Sequence, residues 1–265
     1  ELQFYTHRRL KNARQENGRL IIEAHKESYQ GSDYTSARLT TKNKGDWVYG
    51  RMEIRAKLPE GRGTWPAIWM LPTEWIYGDG GWPDNGEIDI MEHVGYDPGV
   101  IHGTIHTDAY NHMEGTQRGN QIEVSDAMNA FHVYAIEWTA SAIEWYVDDQ
   151  LYFTYENEGD GWEVWPFDHP FHMLLNIAIG GTWGGAEGVD NSIFPVRMEV
   201  DYVRIYQSPD QIDKLIEGPA RVAPRQHPVV FTSKVQNAAS YEWEVPQGAQ
   251  VVSGAGEKEI EVDWG

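Results

Sequence analysis

Residues Trp82–Gly95, WPDNGEIDIMEHVG, are the stretch on which the reading of the whole chain turns. Glu87, Asp89 and Glu92 crowd into six positions, separated only by Ile88, Ile90 and Met91. On a β-strand successive side chains point to opposite faces, so Glu87 and Asp89 share one face while Ile88 and Ile90 share the other. Glu92 falls out of step, because strict alternation puts Met91 beside the first two acids. A single polar face carrying all three acids requires one extra residue, a β-bulge at about Ile90 to Met91. Three acids on one face repel one another and lose hydration if buried, and a cost of this kind points to chemistry.

With one residue absorbed by the bulge, Glu87 and Glu92 stand about four strand steps apart, roughly 13 Å between Cα atoms at about 3.3 Å per residue. Side chains leaning inward by about 4 Å each bring the carboxyl groups to roughly 5 Å. That gap suits glycoside hydrolysis with retention and is too short for inversion, which needs about 6.5–9.5 Å.

The composition narrows the partners. A net charge of −20 argues against nucleic acid and anionic membranes, both of which need a basic footprint, and disfavours a sulfated or uronic polymer. A neutral substrate is the natural reading. The chain has no cysteine, which excludes thiol catalysis, disulfides and Cys-based zinc sites. No apolar run approaches the roughly 20 residues of a membrane span, and ELQFYTHRRL carries no signal-peptide pattern. Of the 12 Trp, several stand beside Gly or Pro in expected loops (Trp65 in GTWP, Trp82 in GWPD, Trp183 in GTWGG), where core packing explains them poorly. Flat aromatic faces in a groove suit the apolar faces of pyranose rings.

Along the chain, short strands alternate with turn signals and no helical period exceeds two turns. Strands are expected at residues 19–24, 37–40, 49–58, 67–71, 86–93, 99–107, 131–138, 142–147, 151–155, 171–178 and 198–206, with a hairpin turn at Asp148-Asp149 and a single helical turn at 125–129. Many strands without βα alternation mean an all-β fold, an antiparallel sandwich or barrel. Met52, Ile54, Ala56 and Leu58 alternate with Arg51, Glu53, Arg55 and Lys57, one face buried and one wet. A boundary follows Gln207. Residues 208–228 read as a polar, Pro-containing linker, and 229–265 as a short C-terminal β segment, alone a marginal module.

With the acids placed, GEIDIMEHVG, preceded by GRMEIRAKLPEGRGTWPAIWMLP and followed by HGTIHT, resembles the laminarinase-type endo-β-1,3-glucanases of glycoside hydrolase family 16. The resemblance runs from ELQFYT to MEVDYVRIYQ, residues 1–207. It implies a β-sandwich jelly roll whose concave sheet forms the substrate cleft, and a retaining endo-hydrolase of β-1,3-glucosidic bonds in laminarin-like β-glucans. It further implies Glu87 as nucleophile, Glu92 as acid/base and Asp89 as the group between them, a division that neighbouring carboxylates support by pushing one another's pKa apart. No cofactor is implied for catalysis. A mixed-linkage β-1,3-1,4-glucanase is the first alternative, though such relatives commonly lack the extra residue that Met91 provides. An agarase-type activity, or a glucan-binding protein on the same fold without catalysis, are further ones.

The resemblance also places Trp65, Trp69, His106, Glu137, Trp138, Asn176 and Trp183 near the sugar. Trp69, between Ile68 and Met70, fits the core as well as the cleft, and His106 fits a structural role as well as a cleft one. Asn176, an amide inside MLLNIAI, needs partners if buried. Relatives often hold a structural calcium on the convex side, and Gly18 with Asp201 match those positions; calcium takes six to eight oxygens. Relatives also carry a further N-terminal strand, so the tail or a neighbouring molecule is expected to cover a sheet edge, and a monomer is expected otherwise. The tail resembles the PKD-type immunoglobulin-like modules of secreted polysaccharide-degrading enzymes (YEWEVPQGAQ, IEVDWG), which implies an extracellular protein.

Overall fold

The computed structural model describes residues 1–208, 216–217, 228–233, 243, 245 and 248–263. Among these residues there is no α-helix, and the strands up to Tyr206 form two sheets stacked as a β-sandwich of jelly-roll type.

The back sheet is built from β1 (Gln3–Tyr5), β2 (Ala13–Glu16), β3 (Arg19–Tyr29), β4 (Ser32–Ser36), β7 (Gly50–Lys57), β12 (His132–Trp138), β13 (Ala142–Val147), β14 (Gln150–Glu156) and β16 (Val196–Tyr206). They run in the order β1-β4-β3-β16-β7-β12-β13-β14, with β2 paired to β3. The groove sheet contains β5 (Arg38–Thr40), β6 (Asp46–Trp47), β8 (Thr64–Pro72), β9 (Glu87–Glu92), β10 (Val100–His106), β11 (Arg118–Glu123) and β15 (Phe171–Ile179). Its order is β11-β10-β9-β8-β15-β5, with β6 paired to β15. The core lies between the sheets. Met52, Ile54, Ala56 and Leu58 point into it as the alternation requires, and Trp138, Trp145, Tyr134, Phe167 and Phe171 fill its centre. Asp148 and Asp149 both adopt positive φ, the conformation of a two-residue hairpin turn. Residues 125–129 form turns and no helix.

The bulge falls where the carboxylate spacing demands it. Against β8, Ala67 pairs with Glu92 and Ile68 with Met91, but Trp69 pairs with Asp89, so Ile90 is the residue left over. Against β10, His102 pairs with Glu92 and Thr104 with Asp89, which confirms the extra residue from the other side. Ile88, Ile90 and Met91 are all buried in the core, and the three acids point the other way. Trp145, on the facing sheet, donates its indole N–H to the Asp89 carbonyl at 2.8 Å, deep in the core. Gly103 makes room for this ring: a Cβ there would stand 2.6 Å from the Trp145 side chain and 2.5 Å from the Tyr152 hydroxyl.

The described residues from Gln207 onward, with Asn43–Gly45, belong to a second compact unit. Its described strands are β17 (Ile216–Glu217), β18 (Val229–Ser233), β19 (Gln250–Ser253) and β20 (Glu259–Asp263), in the order β17-β18-β20-β19, with Val229, Ile260 and Val262 buried. Most of the expected linker at 208–228, and most of the YEWEVPQG strand, lie outside the described residues.

The Trp145 bond yields a test of the bulge. Trp145→Phe keeps an aromatic ring in the core but leaves a buried carbonyl without its donor, and should cost about 1–3 kcal/mol in denaturant unfolding. An unchanged unfolding midpoint in Trp145→Phe would mean that this bond does not hold the bulge.

Candidate active site

The register of the groove sheet lines up the functional side chains in rows. One row runs Arg38, Asn176, Ala67, Glu92, His102, each directly opposite the next on adjoining strands. A second row runs Leu174, Trp69, Asp89, Thr104, and in a third Glu87 faces His106. Ala67 and Ala178 keep the floor low, while Trp65, Trp69, Trp82 and Trp183 rise around it. Together with Tyr5, His112 and Gln117 they line an open cleft of about 630 Å³.

The loop before β9 is shaped to deliver Glu87. The buried Asn85 side chain accepts the Ile76 and Tyr77 N–H groups at 2.7 and 2.8 Å and donates to the Tyr77 carbonyl. Gly86 follows at φ 83°, packed so tightly on Phe167 that a Cβ would approach it to 2.7 Å. This turn brings Trp82 back over the strand, where its Nε1 donates to Glu87 Oε2 at 2.7 Å. Trp65 Nε1 donates to Glu92 Oε1 at 2.9 Å, so each glutamate has its own indole. Trp69 Nε1 donates to Asn176 Oδ1 at 2.7 Å, which fixes both residues at the groove wall and supplies the partner that a buried amide needs. Trp183 packs edge-on against Trp65 and against His102. His106, buried beside Glu87, has its Nε2 3.3 Å from Asp89 Oδ2 and touches the rings of Trp82 and His112.

The acids share an environment that favours protons. Burial, then the Glu87 charge, raises Glu92 to about 7, against the opposing hydrogen bond from Trp65. Burial and the Asp89 charge raise Glu87 to about 8, and burial with the Glu92 charge raises Asp89, 2% exposed, well above the ordinary carboxylate range. Glu87 and Asp89 lie within hydrogen-bonding reach of each other, so the pair holds one proton more readily than two charges. An N–H donor favours the charged form, and Glu87 has one in Trp82, whereas Asp89 Oδ2 has no hydrogen-bond donor. The acids therefore share protons near neutral pH, and the Trp82 indole N–H is the donor that favours charge on Glu87. Burial holds His106 below the usual histidine range, against the pull of Glu87 and Glu92, so its imidazole is neutral.

Trp65, Trp69, His106, Asn176 and Trp183 thus join the three acids in one cleft. Glu137 and Trp138 do not, which corrects the expectation for both. They sit on β12 of the back sheet: Glu137 pairs with Arg51 on that sheet's outer face at 2.8 Å, and Trp138 is a core ring donating to the Phe167 carbonyl. Neither face of β12 reaches the groove.

The calcium positions fail on their chemistry. Asp201 Oδ2 accepts a hydrogen bond from Arg55 at 2.6 Å, so a guanidinium already supplies its positive charge, and Gly18 adds one carbonyl where six to eight oxygens are needed. Gly18 and Asp201 as arranged do not fit calcium.

His102, His112, Arg38 and Tyr5 are cleft residues that the sequence reading did not select. The alternation in HGTIH puts His102 on the face of His106 and was legible; His112, Arg38 and Tyr5 reach the cleft through turns and strand pairings that no local pattern encodes.

Comparison with known proteins agrees with this geometry. The family model described as glycosyl hydrolases family 16 matches residues 2–204, and one described as a PKD-like domain matches 209–265. A beta-glucanase of Rhodothermus marinus is 60% identical over 212 residues, covering 78% of this chain and 74% of that protein. A glucan endo-1,3-beta-glucosidase of Cryptopygus antarcticus is 40% identical over 204 residues, 72% of this chain and 74% of its own length. The X-ray structure of the laminarinase from Rhodothermus marinus superposes with a TM-score of 0.78 at 61% identity, covering 78% of this chain and 84% of that one. With the carboxylate strand, the two-sheet sandwich and the matched span all in agreement, the chain belongs to the glycosyl hydrolases of family 16.

Proposed function

We propose that the chain cleaves internal β-1,3-glucosidic bonds of laminarin-like β-glucans by a retaining double displacement. The observation that carries this reading is the bulged strand β9, which presents Glu87, Asp89 and Glu92 on one face at the floor of an open, tryptophan-walled groove. The name of the Cryptopygus antarcticus relative, a glucan endo-1,3-beta-glucosidase, supports internal cleavage. The names of the Rhodothermus marinus and Cryptopygus antarcticus relatives support the β-1,3 linkage.

In this mechanism Glu87 is the nucleophile. It is oriented by the Trp82 indole N–H, which favours its charged form. It attacks the anomeric carbon to form a glycosyl-enzyme ester while Glu92, protonated near neutral pH, gives its proton to the departing oxygen. Glu92 then takes a proton from water, which hydrolyses the ester, and the two inversions restore the original configuration. Asp89, within hydrogen-bonding reach of Glu87, shares a proton with it as the charge on Glu87 leaves and returns. Trp65, Trp69 and Trp183 offer ring faces to the sugars, and Asn176 and His106 offer polar groups to their hydroxyls. A polymeric substrate is not taken up intact, which supports action outside the cell.

Two experiments address the roles. Glu87→Gln and Glu92→Gln should each lower laminarin hydrolysis by at least about 10²–10⁴-fold with the fold intact by circular dichroism, the size of a general acid/base contribution. Reducing-sugar release near the parent rate from either variant removes the assignment. On the unmodified chain, NMR should detect the β-anomer first; α-product appearing first would contradict retention.

The pH profile tests the Trp65 contact separately. Glu92 must be protonated to act as acid, so kcat/KM should fall as pH rises through about 7. The Trp65 hydrogen bond lowers the Glu92 pKa, so Trp65→Phe should move this alkaline limb to higher pH; a limb that stays in place, or moves down, would show that Glu92 is not the titrating acid.

A further inference from the structure

We propose that Glu87, Asp89 and His106 also form a binding site for a borderline-soft divalent cation, Zn²⁺ or more tightly Cu²⁺, and that a cation seated there blocks the groove. Each of the three offers one ligand atom, and these atoms all lie within 4.8 Å of one another. His106 Nε2 and Asp89 Oδ2 stand 3.3 Å apart. Two ligands of one tetrahedral zinc ion, bound at about 2.1 Å each, are about 3.4 Å apart. The histidine and aspartate are therefore already at the separation of ligands sharing an ion, and Glu87, within 4.8 Å of both, needs a shift of at most about 1.4 Å to join them.

A cluster of acids is not a site by itself, and two further features point to a ligand here. Asp89 and His106, whose Nε2 faces Asp89, are 2% and 6% exposed, yet Asp89 Oδ2 has no hydrogen-bond partner. A buried carboxylate oxygen in that condition lacks the positive charge that a cation would supply. Among the residues lining the cleft Arg38 is the one arginine or lysine, and it lies at the far end of the Glu92 row on β5, with β8 and β15 between it and β9.

The donor set selects the metal. A neutral imidazole with two carboxylates suits zinc and copper, whereas calcium wants six to eight oxygens and magnesium a near-ideal octahedron of them. The groove side stays open for water to complete the coordination. A cation bound there neutralises Glu87 and occupies the place of the reacting sugar. The blocking rests on Glu87 being the nucleophile, as proposed above, and the binding does not.

The test separates the two. The full chain is titrated with Zn²⁺ by calorimetry and with Co²⁺ by its visible d–d absorption, in parallel with His106→Asn and Glu87→Gln, each checked for fold by circular dichroism. One strong site is expected in the parent, weakened at least about tenfold in either variant, the loss that even an outer-shell change produces. Asp89→Asn serves as the third ligand variant should either of these fail to fold. Zn²⁺ should inhibit laminarin hydrolysis competitively, with full recovery on adding EDTA. Equal binding in the parent and the variants would place the metal on other histidines and overturn the site, as would no binding at millimolar Zn²⁺. Binding at the site with an undiminished hydrolysis rate would overturn the blocking. Binding as expected in a chain that never hydrolyses laminarin would leave the site standing and count against the proposed function alone.

Discussion

The hydrogen bond from Trp145 Nε1 to the Asp89 carbonyl is the constraint on which the site depends. A bulge makes a strand locally irregular, and the same peptide could relax into regular pairing if its carbonyl had no fixed partner. Regular pairing of β9 would turn Glu92 into the core and Met91 into the groove, exchanging a hydration penalty for a lost apolar contact. The donor arrives from the opposite sheet, so the bulge is tied to the packing of the whole sandwich. Gly103 belongs to the same device, since any side chain there would push Trp145 off the carbonyl.

Much of this was legible in sequence, and what was not has a common cause. The spacing of Glu87, Asp89 and Glu92 determined both the face and the place of the bulge, because strand alternation is a local rule and one violation has one remedy. Strands with apolar alternation, such as β7, were found for the same reason. β11, RGNQIE, was missed because it is exposed almost throughout, with Ile122 alone half-buried, and β4, SDYTS, because its buried positions include Thr35 and Ser36. These strands exist through their neighbours' hydrogen bonds rather than through their own pattern.

Glu137 and Trp138 show the limit from the other direction. Their strand was correctly expected, and an aromatic beside an acid near a sugar-binding motif invited a cleft role. Which sheet a strand joins is a long-range fact, however, and β12 pairs with β7 and β13, behind the core. Trp183 lies in the turn that the glycines around it marked, whereas Trp65, expected in a loop, stands on β8 opposite Ala178 and reaches the cleft from that strand. Trp82 was singled out by its Gly and Pro neighbours, but its bond to Glu87 depends on a loop closed by Asn85, which periodicity does not reveal.

The distribution of charge completes the account. A carboxyl group that works as an acid near neutral pH has to be kept away from cations, which would hold it ionised. On the back sheet Arg51, Arg55 and Lys57 each pair with nearby acids, while Arg19, Lys57 and Arg197 converge on Glu199. No lysine or arginine is among the groups that shift Glu87, Asp89 or Glu92; indole N–H groups orient the two glutamates without adding a charge. Tryptophan in this groove thus has two uses, a ring face for the sugar and a neutral donor for the acid. An arginine in place of Trp65 would satisfy the same carboxylate oxygen and hold Glu92 ionised, removing the proton that the leaving oxygen needs.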